Sequence, residues 1–282
     1  MKNNAMSKLK FDEQAFSASA KYQSANKDFY GVFTGQYGRL YIVSRGIGTE
    51  GAEIISDLVV IAIKTFFEKL PSQYDSSLAI IQAIQVATKE VLSYISSHKW
   101  LSNCGAAIAI LLSNTTGTCL ATAGDCRILL LRRNKITCLC PKIKENWAID
   151  TDSLVNTIGL TQVDPEIVEN VKLYRDDCVL LTTKGVYQRV TRQEIAKALN
   201  KKILSEGIKT LWDFAKNKKS NEDFTLIALK ILKAQPLPAN DLTTEKDIVK
   251  FILLCILLAL SLLVMYFTFY PYLNEIKAIL NI

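Results

Sequence analysis

Twenty consecutive residues without a charge, FILLCILLALSLLVMYFTFY from Phe251 to Tyr270, constrain this 282-residue chain more than any other feature. As a helix rising about 1.5 Å per residue, such a segment spans roughly 30 Å, the thickness of a bilayer's hydrocarbon core. A buried helix of a water-soluble domain usually keeps a polar face, and this segment has none. Tyr266, Tyr270 and Tyr272 put aromatic side chains where a membrane interface would lie, and Pro271 stops the helix. The expectation is one transmembrane helix over residues 248–271 and a short tail over 272–282. Lys246 and Lys250 precede the span, whereas only Lys277, beside Glu275, follows it. That bias, with an N-terminus (MKNNAMSKLKFDEQ) lacking the apolar stretch of a secretory signal, predicts a tail-anchored protein whose N-terminal domain is cytoplasmic.

The residues before the span suffice for one domain with a large core, since 49% of the chain is hydrophobic. The net charge is +7. Its basic residues are scattered and are not interleaved with aromatics in one stretch, so nucleic acid is not the expected partner. An anionic leaflet beside the anchor accounts for the charge more simply. The seven cysteines include no C-x-x-C pair, and His98 is the sole histidine. Buried, reduced thiols are expected, rather than a zinc site or a disulfide framework. His98 ends a helical pattern and reads as a surface residue near a helix C-terminus.

Along the chain, residues 1–20 read as a lead-in, 21–232 as the globular domain and 233–247 (KAQPLPANDLTTEKD) as a proline-containing polar linker. Short strands are predicted over 29–33 and 39–44, with a turn at Gly35–Gly38 and a glycine-punctuated loop over 45–51. Amphipathic spacing predicts helices over 52–70 and 76–97, parted by Pro71. Strands over 106–112, 118–123, 127–132 and 135–139 read as a meander. A buried-type strand over 178–182, helices over 192–199 and 208–216, and a strand over 224–232 complete the domain. This order argues for an α+β layered fold, antiparallel sheets flanked by helices.

The chain has no Walker loop, G-x-S-x-G or H-E-x-x-H. It does have short acidic or glycine-bearing turns at strand ends, in a fixed order: Asn26-Lys27-Asp28, Ser44-Arg45-Gly46-Ile47-Gly48, Gly124-Asp125-Cys126-Arg127, Thr183-Lys184-Gly185 and Glu222-Asp223-Phe224-Thr225. In this series the chain resembles the metal-dependent serine/threonine phosphatases of type 2C, the PPM family. That family carries Asn-Glu-Asp, Asp-Gly-Met-Gly-Gly, Gly-Asp-Ser-Arg, Ser-Asp-Gly and Asp-Asn-x-Thr in the same order. The best-matched stretch is ATAGDCRILLLRRNKI, and the resemblance runs from about Lys21 to Leu232.

The resemblance implies a type 2C phosphatase-like fold and a centre in which carboxylates hold two Mn²⁺ or Mg²⁺ ions that activate water. Asp28, Asp125, Glu222 and Asp223 stand at remnant metal positions. Two ligand positions have reversed sign: Arg45 and Lys184 stand where the family has aspartates. Lys27 replaces an acid, and Gln23 stands where bacterial members often carry a phosphate-binding arginine. Two fixed cations within about 6 Å of a metal pair would repel it by several kcal/mol. The expectation is that Arg45 and Lys184 fill the metal volume and pair with Asp28, Glu222 and Asp223. Three functions stay open: a pseudophosphatase acting as a binding or regulatory module for a phosphorylated or acidic protein, with no cofactor; an active phosphatase with a rearranged Mn²⁺ or Mg²⁺ site; and a structural membrane component.

Overall fold

The leucine- and β-branched-rich runs are strands, and they pair into two antiparallel five-stranded sheets. The computed structural model describes residues 9–20, 25–71, 74–139, 155–234, 253–254 and 256–266. It divides into two units, residues 1–235 and 236–282. The first sheet contains β2 (Asp28–Gly35), β3 (Gly38–Ile47), β4 (Gly105–Ser113), β5 (Thr118–Ala123) and β8 (Glu166–Val168), in that spatial order. The second has the order β1 (Lys10–Ala18), β10 (Phe224–Lys233), β9 (Cys178–Thr182), β6 (Arg127–Arg132) and β7 (Lys135–Cys138).

Side chains alternate across a strand, and here both faces are covered. On β3, Leu40 and Ile42 pack under helices α1 (Ala52–Glu68) and α2 (Ser76–Ser97), while Tyr41 and Val43 face the second sheet. On β4, Ile108, Ile110 and Leu112 take the helix side, and Ala107, Ala109 and Leu111 the space between sheets. A third core layer joins the outer face of the second sheet to α3 (Lys184–Arg189), α4 (Arg192–Leu199) and α5 (Leu204–Ala215), through residues such as Leu180, Phe224, Ile195 and Leu211. Four layers result, helices outside and sheets inside. Asp75 caps α2 by accepting from Leu78 N at 2.8 Å, and Thr191 with Glu194 forms a capping box on α4.

Several expectations need correction. Residues 10–18 are no lead-in: β1 pairs with β10 along its length and forms an edge of the second sheet. The four central strands are not one meander. β4 and β5 pair in the first sheet, and at Gly124-Asp125-Cys126 the chain crosses to the second, where β6 pairs with β7 and β9. Gly124 makes that crossing at φ 77, a conformation that favours glycine, and a Cβ there would press on Ala107. The turn expected at Thr183-Lys184-Gly185 opens a short helix, α3, and β8 had no predicted counterpart.

In the second unit, Ile256–Tyr266 is an apolar helix with its large side chains exposed. The rest of the segment from Phe251 to Tyr270, the linker from 235 and the tail lie outside the described residues, as does Gln23. Cys104, Cys119, Cys126 and Cys178 are buried free thiols, and Cys138 is half-buried.

Candidate functional site

At one end of the space between the sheets, four chain segments converge. The β2–β3 hairpin sets Asp28 opposite Arg45 in register. Arg45 is not in a loop after the strand, as its glycine-rich neighbourhood suggested, but inside β3, where it also pairs with Ala107 of β4. Ladder pairing on both sides fixes its backbone. The crossing turn supplies Asp125. Lys184 starts α3, and Glu222 and Asp223 directly precede β10. Gly185 lets α3 approach that last segment closely, since a Cβ there would collide with the Asp223 carbonyl.

Arg45 is the hub. Its Nη1 donates to Asp125 Oδ2 at 2.9 Å, and its Nη2 and Nε donate to Glu222 Oε2 at 2.6 and 3.1 Å. Lys184 Nζ lies 3.7 Å from Glu222 Oε1. The side chains of Arg45 and Lys184 are each 9% exposed, that of Asp125 2% and that of Glu222 27%. Burial opposes the Arg45 charge, but Asp125 and Glu222 outweigh it and hold the guanidinium pKa above its ordinary value. For Asp125, burial pushes the carboxyl up, against the pull of Arg45 and Lys184.

The expected pairing is therefore met in part. Glu222 joins both cations, and Asp125 joins Arg45. Asp28 and Asp223 are held by other groups. Thr183 Oγ1 donates to Asp28 Oδ2 at 2.6 Å, and Thr183 Oγ1 itself accepts from Thr225 N. Burial pushes Asp28 up to about 7, against that hydroxyl and with Asp223 adding to the rise. Asp223 accepts backbone N–H groups on both oxygens, from Ala20 and Lys27, at 2.7 Å each. It ties the end of β1 and the entry to β2 to the start of β10.

The residues that support this cluster carry no signature in the sequence. The Arg127 guanidinium stacks on the Tyr187 ring, 3.6 Å from its centroid, and Tyr187 Oη donates to the Asp125 carbonyl at 2.9 Å. Arg189 Nη2 donates to the Glu222 carbonyl. Tyr187 and Arg189 lie on α3, whose first residues the sequence predicts as the turn Thr183-Lys184-Gly185. Arg127 and Thr183 stood inside quoted motifs, but nothing in their spacing revealed what they support. His98 stacks on Tyr94 at the end of α2, away from these residues in sequence and with a local role.

A two-metal centre needs carboxylate oxygens free to face a cation. Here Asp125 Oδ2 and Glu222 Oε2 face a permanently charged guanidinium, Glu222 Oε1 lies near Lys184, Asp125 Oδ1 is buried without a hydrogen-bond partner, and both oxygens of Asp223 are taken by backbone donors. So arranged, the donor set offers a divalent ion few free oxygens. Among the described residues no group of three or more His, Cys, Asp or Glu is placed to hold one.

No protein-family model and no curated protein sequence matches the chain. Solved structures do. A Mycobacterium tuberculosis serine/threonine phosphatase, PstP/Ppp, superposes with a TM-score of 0.68 at 18% identity, over 80% of this chain and 100% of that one. A Staphylococcus aureus serine/threonine phosphatase gives 0.68 at 20% identity, over 79% and 96%. The PPM phosphatase MsPP of Mycobacterium smegmatis, in complex with cacodylate, gives 0.65 at 14%, over 78% and 98%. The catalytic domain of PstP has also been seen with two manganese ions. At such identities the likeness speaks for architecture alone, and with the layer order described above it establishes that this domain has the PPM-type serine/threonine phosphatase fold.

Proposed function

We propose that this chain is a pseudophosphatase: a type 2C phosphatase-like domain without metal chemistry, acting as a binding or regulatory module on a membrane. One observation carries the reading. Arg45 sits on a paired central strand and donates to both Asp125 and Glu222, two of the carboxylates at remnant metal positions. A guanidinium does not neutralise near pH 7, so the replacement is a fixed charge and not a titrating one. Metal entry would require Arg45 to leave its ion pairs with Asp125 and Glu222. The partner class suggested by the two enclosed cations, Arg45 and Lys184, is a phosphorylated or acidic protein.

Membrane attachment rests on the uncharged run from Phe251 to Tyr270, supported by the exposed apolar helix Ile256–Tyr266. The lysines before it favour a cytoplasmic domain.

The test is calorimetric titration of the full chain, in detergent, with Mn²⁺, alongside Mn²⁺-dependent hydrolysis of a phosphopeptide. The expected result is no saturable Mn²⁺ binding and no Mn²⁺-dependent turnover. Turnover that Asp125→Ala abolishes would overturn the reading and restore an active phosphatase with a rearranged site. Protease applied outside intact cells is expected to spare the domain, and digestion there would reverse the topology.

A further inference from the structure

The Arg45–Lys184–Glu222 contact has the form of an occupied receptor. One carboxylate oxygen takes two N–H groups of a guanidinium fork, and the other lies near an ammonium. A guanidinium and an ammonium converging on one anionic group are the donors with which proteins recognise carboxylates and phosphates from outside. We infer that Glu222 is a tethered stand-in: Arg45 and Lys184 form a receptor for a phosphate monoester carried by a polypeptide, and the Glu222 carboxylate fills it until such a group displaces it. The inference rests on the metal-free reading of the site.

Three features of the cluster support displacement. Glu222 is its most exposed side chain, at 27% against 9% for each cation, so it covers them from the solvent side. Its backbone is held separately, with N donating to Ser220 Oγ and O accepting from Arg189. Rotating the side chain therefore suffices to open the receptor. Both cations are fixed beneath it, Arg45 by the β3 ladder and Asp125, Lys184 by the close packing of Gly185. With Glu222 in place, Arg45 and Lys184 balance Asp125 and Glu222. With it rotated out, one positive charge is in excess, and a phosphate monoester brings about −1.5 to −2 and three acceptor oxygens. Asp28 and Asp223 do not take Glu222's place, because Thr183 and the backbone N–H groups of Ala20 and Lys27 engage them. A tethered competitor keeps the receptor weak in the resting chain.

The experiment titrates the full chain, in detergent with EDTA, with a phosphoserine peptide, its unphosphorylated form and inorganic phosphate. Glu222→Gln is expected to bind the phosphopeptide at least tenfold more tightly than wild type and to ignore the unphosphorylated peptide. Adding Lys184→Met is expected to remove the gain. A cooperatively melting Glu222→Gln that binds no better than wild type overturns the inference, as does a gain that survives Lys184→Met. Equal binding of inorganic phosphate and phosphopeptide removes the polypeptide as the ligand's carrier. Should Glu222→Gln fail to fold, Glu222→Asp, which draws the carboxylate back, is expected to show a smaller gain, and no gain there is equally fatal. Mn²⁺-dependent turnover in the earlier test would remove the metal-free reading and this inference with it. A missing gain would remove only the stand-in.

Discussion

Strand β3 carries two arginines on the same face, at its two ends, and they live in different solvents. Arg39 donates to Glu13 at 3.1 Å, with Tyr41 Oη donating to the same oxygen at 2.5 Å, and the two charged side chains are 40% and 38% exposed. Arg45 meets Asp125 and Glu222 at similar distances, but with its own side chain 9% exposed and that of Asp125 2%. The chemistry of the contact is the same at both ends. What differs is how much water each charge has lost. An exposed pair gains little, because water and salt already screen it. In a buried cluster each charge depends on its partner, so removing one member strands the others. The comparison teaches that the Arg45 end of β3 is held by mutual compensation of buried charges, whereas at the Arg39 end the pair stays in contact with water.

The sharpest way to break the comparison is Arg45→Ala. It leaves Asp125 and Glu222 facing each other with Lys184 alone, and we expect a loss of about 3 kcal/mol or more in chemical denaturation. A loss below about 1 kcal/mol would make the two ends of β3 equivalent.

The next effect is a pH dependence. The folded-state pKa of Asp28, raised by burial to about 7, lies above its ordinary 3.8. The native state therefore holds this proton more tightly than the unfolded chain does. The stability contributed by Asp28 is greatest below the ordinary carboxylate pKa and declines as pH rises from about 4 to about 7, by at most about 1.4 kcal/mol per pH unit. Asp28→Asn is expected to flatten that part of the stability–pH curve. An unchanged slope would show that Asp28 ionises normally.

Thr183→Val keeps the shape but removes the hydroxyl that donates to Asp28 and accepts from Thr225 N. A loss of about 1–2 kcal/mol is expected from the denaturation midpoint. The smallest effect is that of Arg39→Ala. It is expected to cost less than about 1 kcal/mol, and less again at high salt. A loss as large as that of Arg45→Ala would dissolve the contrast between the two ends.

Much of the framework was legible because it is written in local chemistry. The apolar spacing of 76–97 between Asp75 and His98 predicted α2 at its observed bounds, and the runs 118–123, 127–132 and 178–182 were read as the strands they are. Lys10–Ala18 was missed because KFDEQAFSA is a polar edge strand with weak alternation, stabilised by its partner β10 and not by its own pattern. The site was legible as a set of positions. Its pairing was legible in part: of the expected partners Asp28, Glu222 and Asp223, Glu222 meets both cations, whereas the other partner of Arg45 is Asp125 from the crossing turn, and Asp28 and Asp223 are held by other groups.

The sequence by itself determined the α+β class, most element boundaries, the ordered series of turn motifs and the placing of the cations Arg45 and Lys184 within it. These depend on periodicity, on turn residues and on side-chain type, all of which are local. Only the tertiary structure decided that the chain changes sheets at Gly124, that β1 closes the second sheet, and that Glu222 and not Asp28 or Asp223 shares both cations. Those outcomes depend on which distant segments meet and on how much water each charge loses when they do. Neither quantity exists until the two sheets have packed face to face.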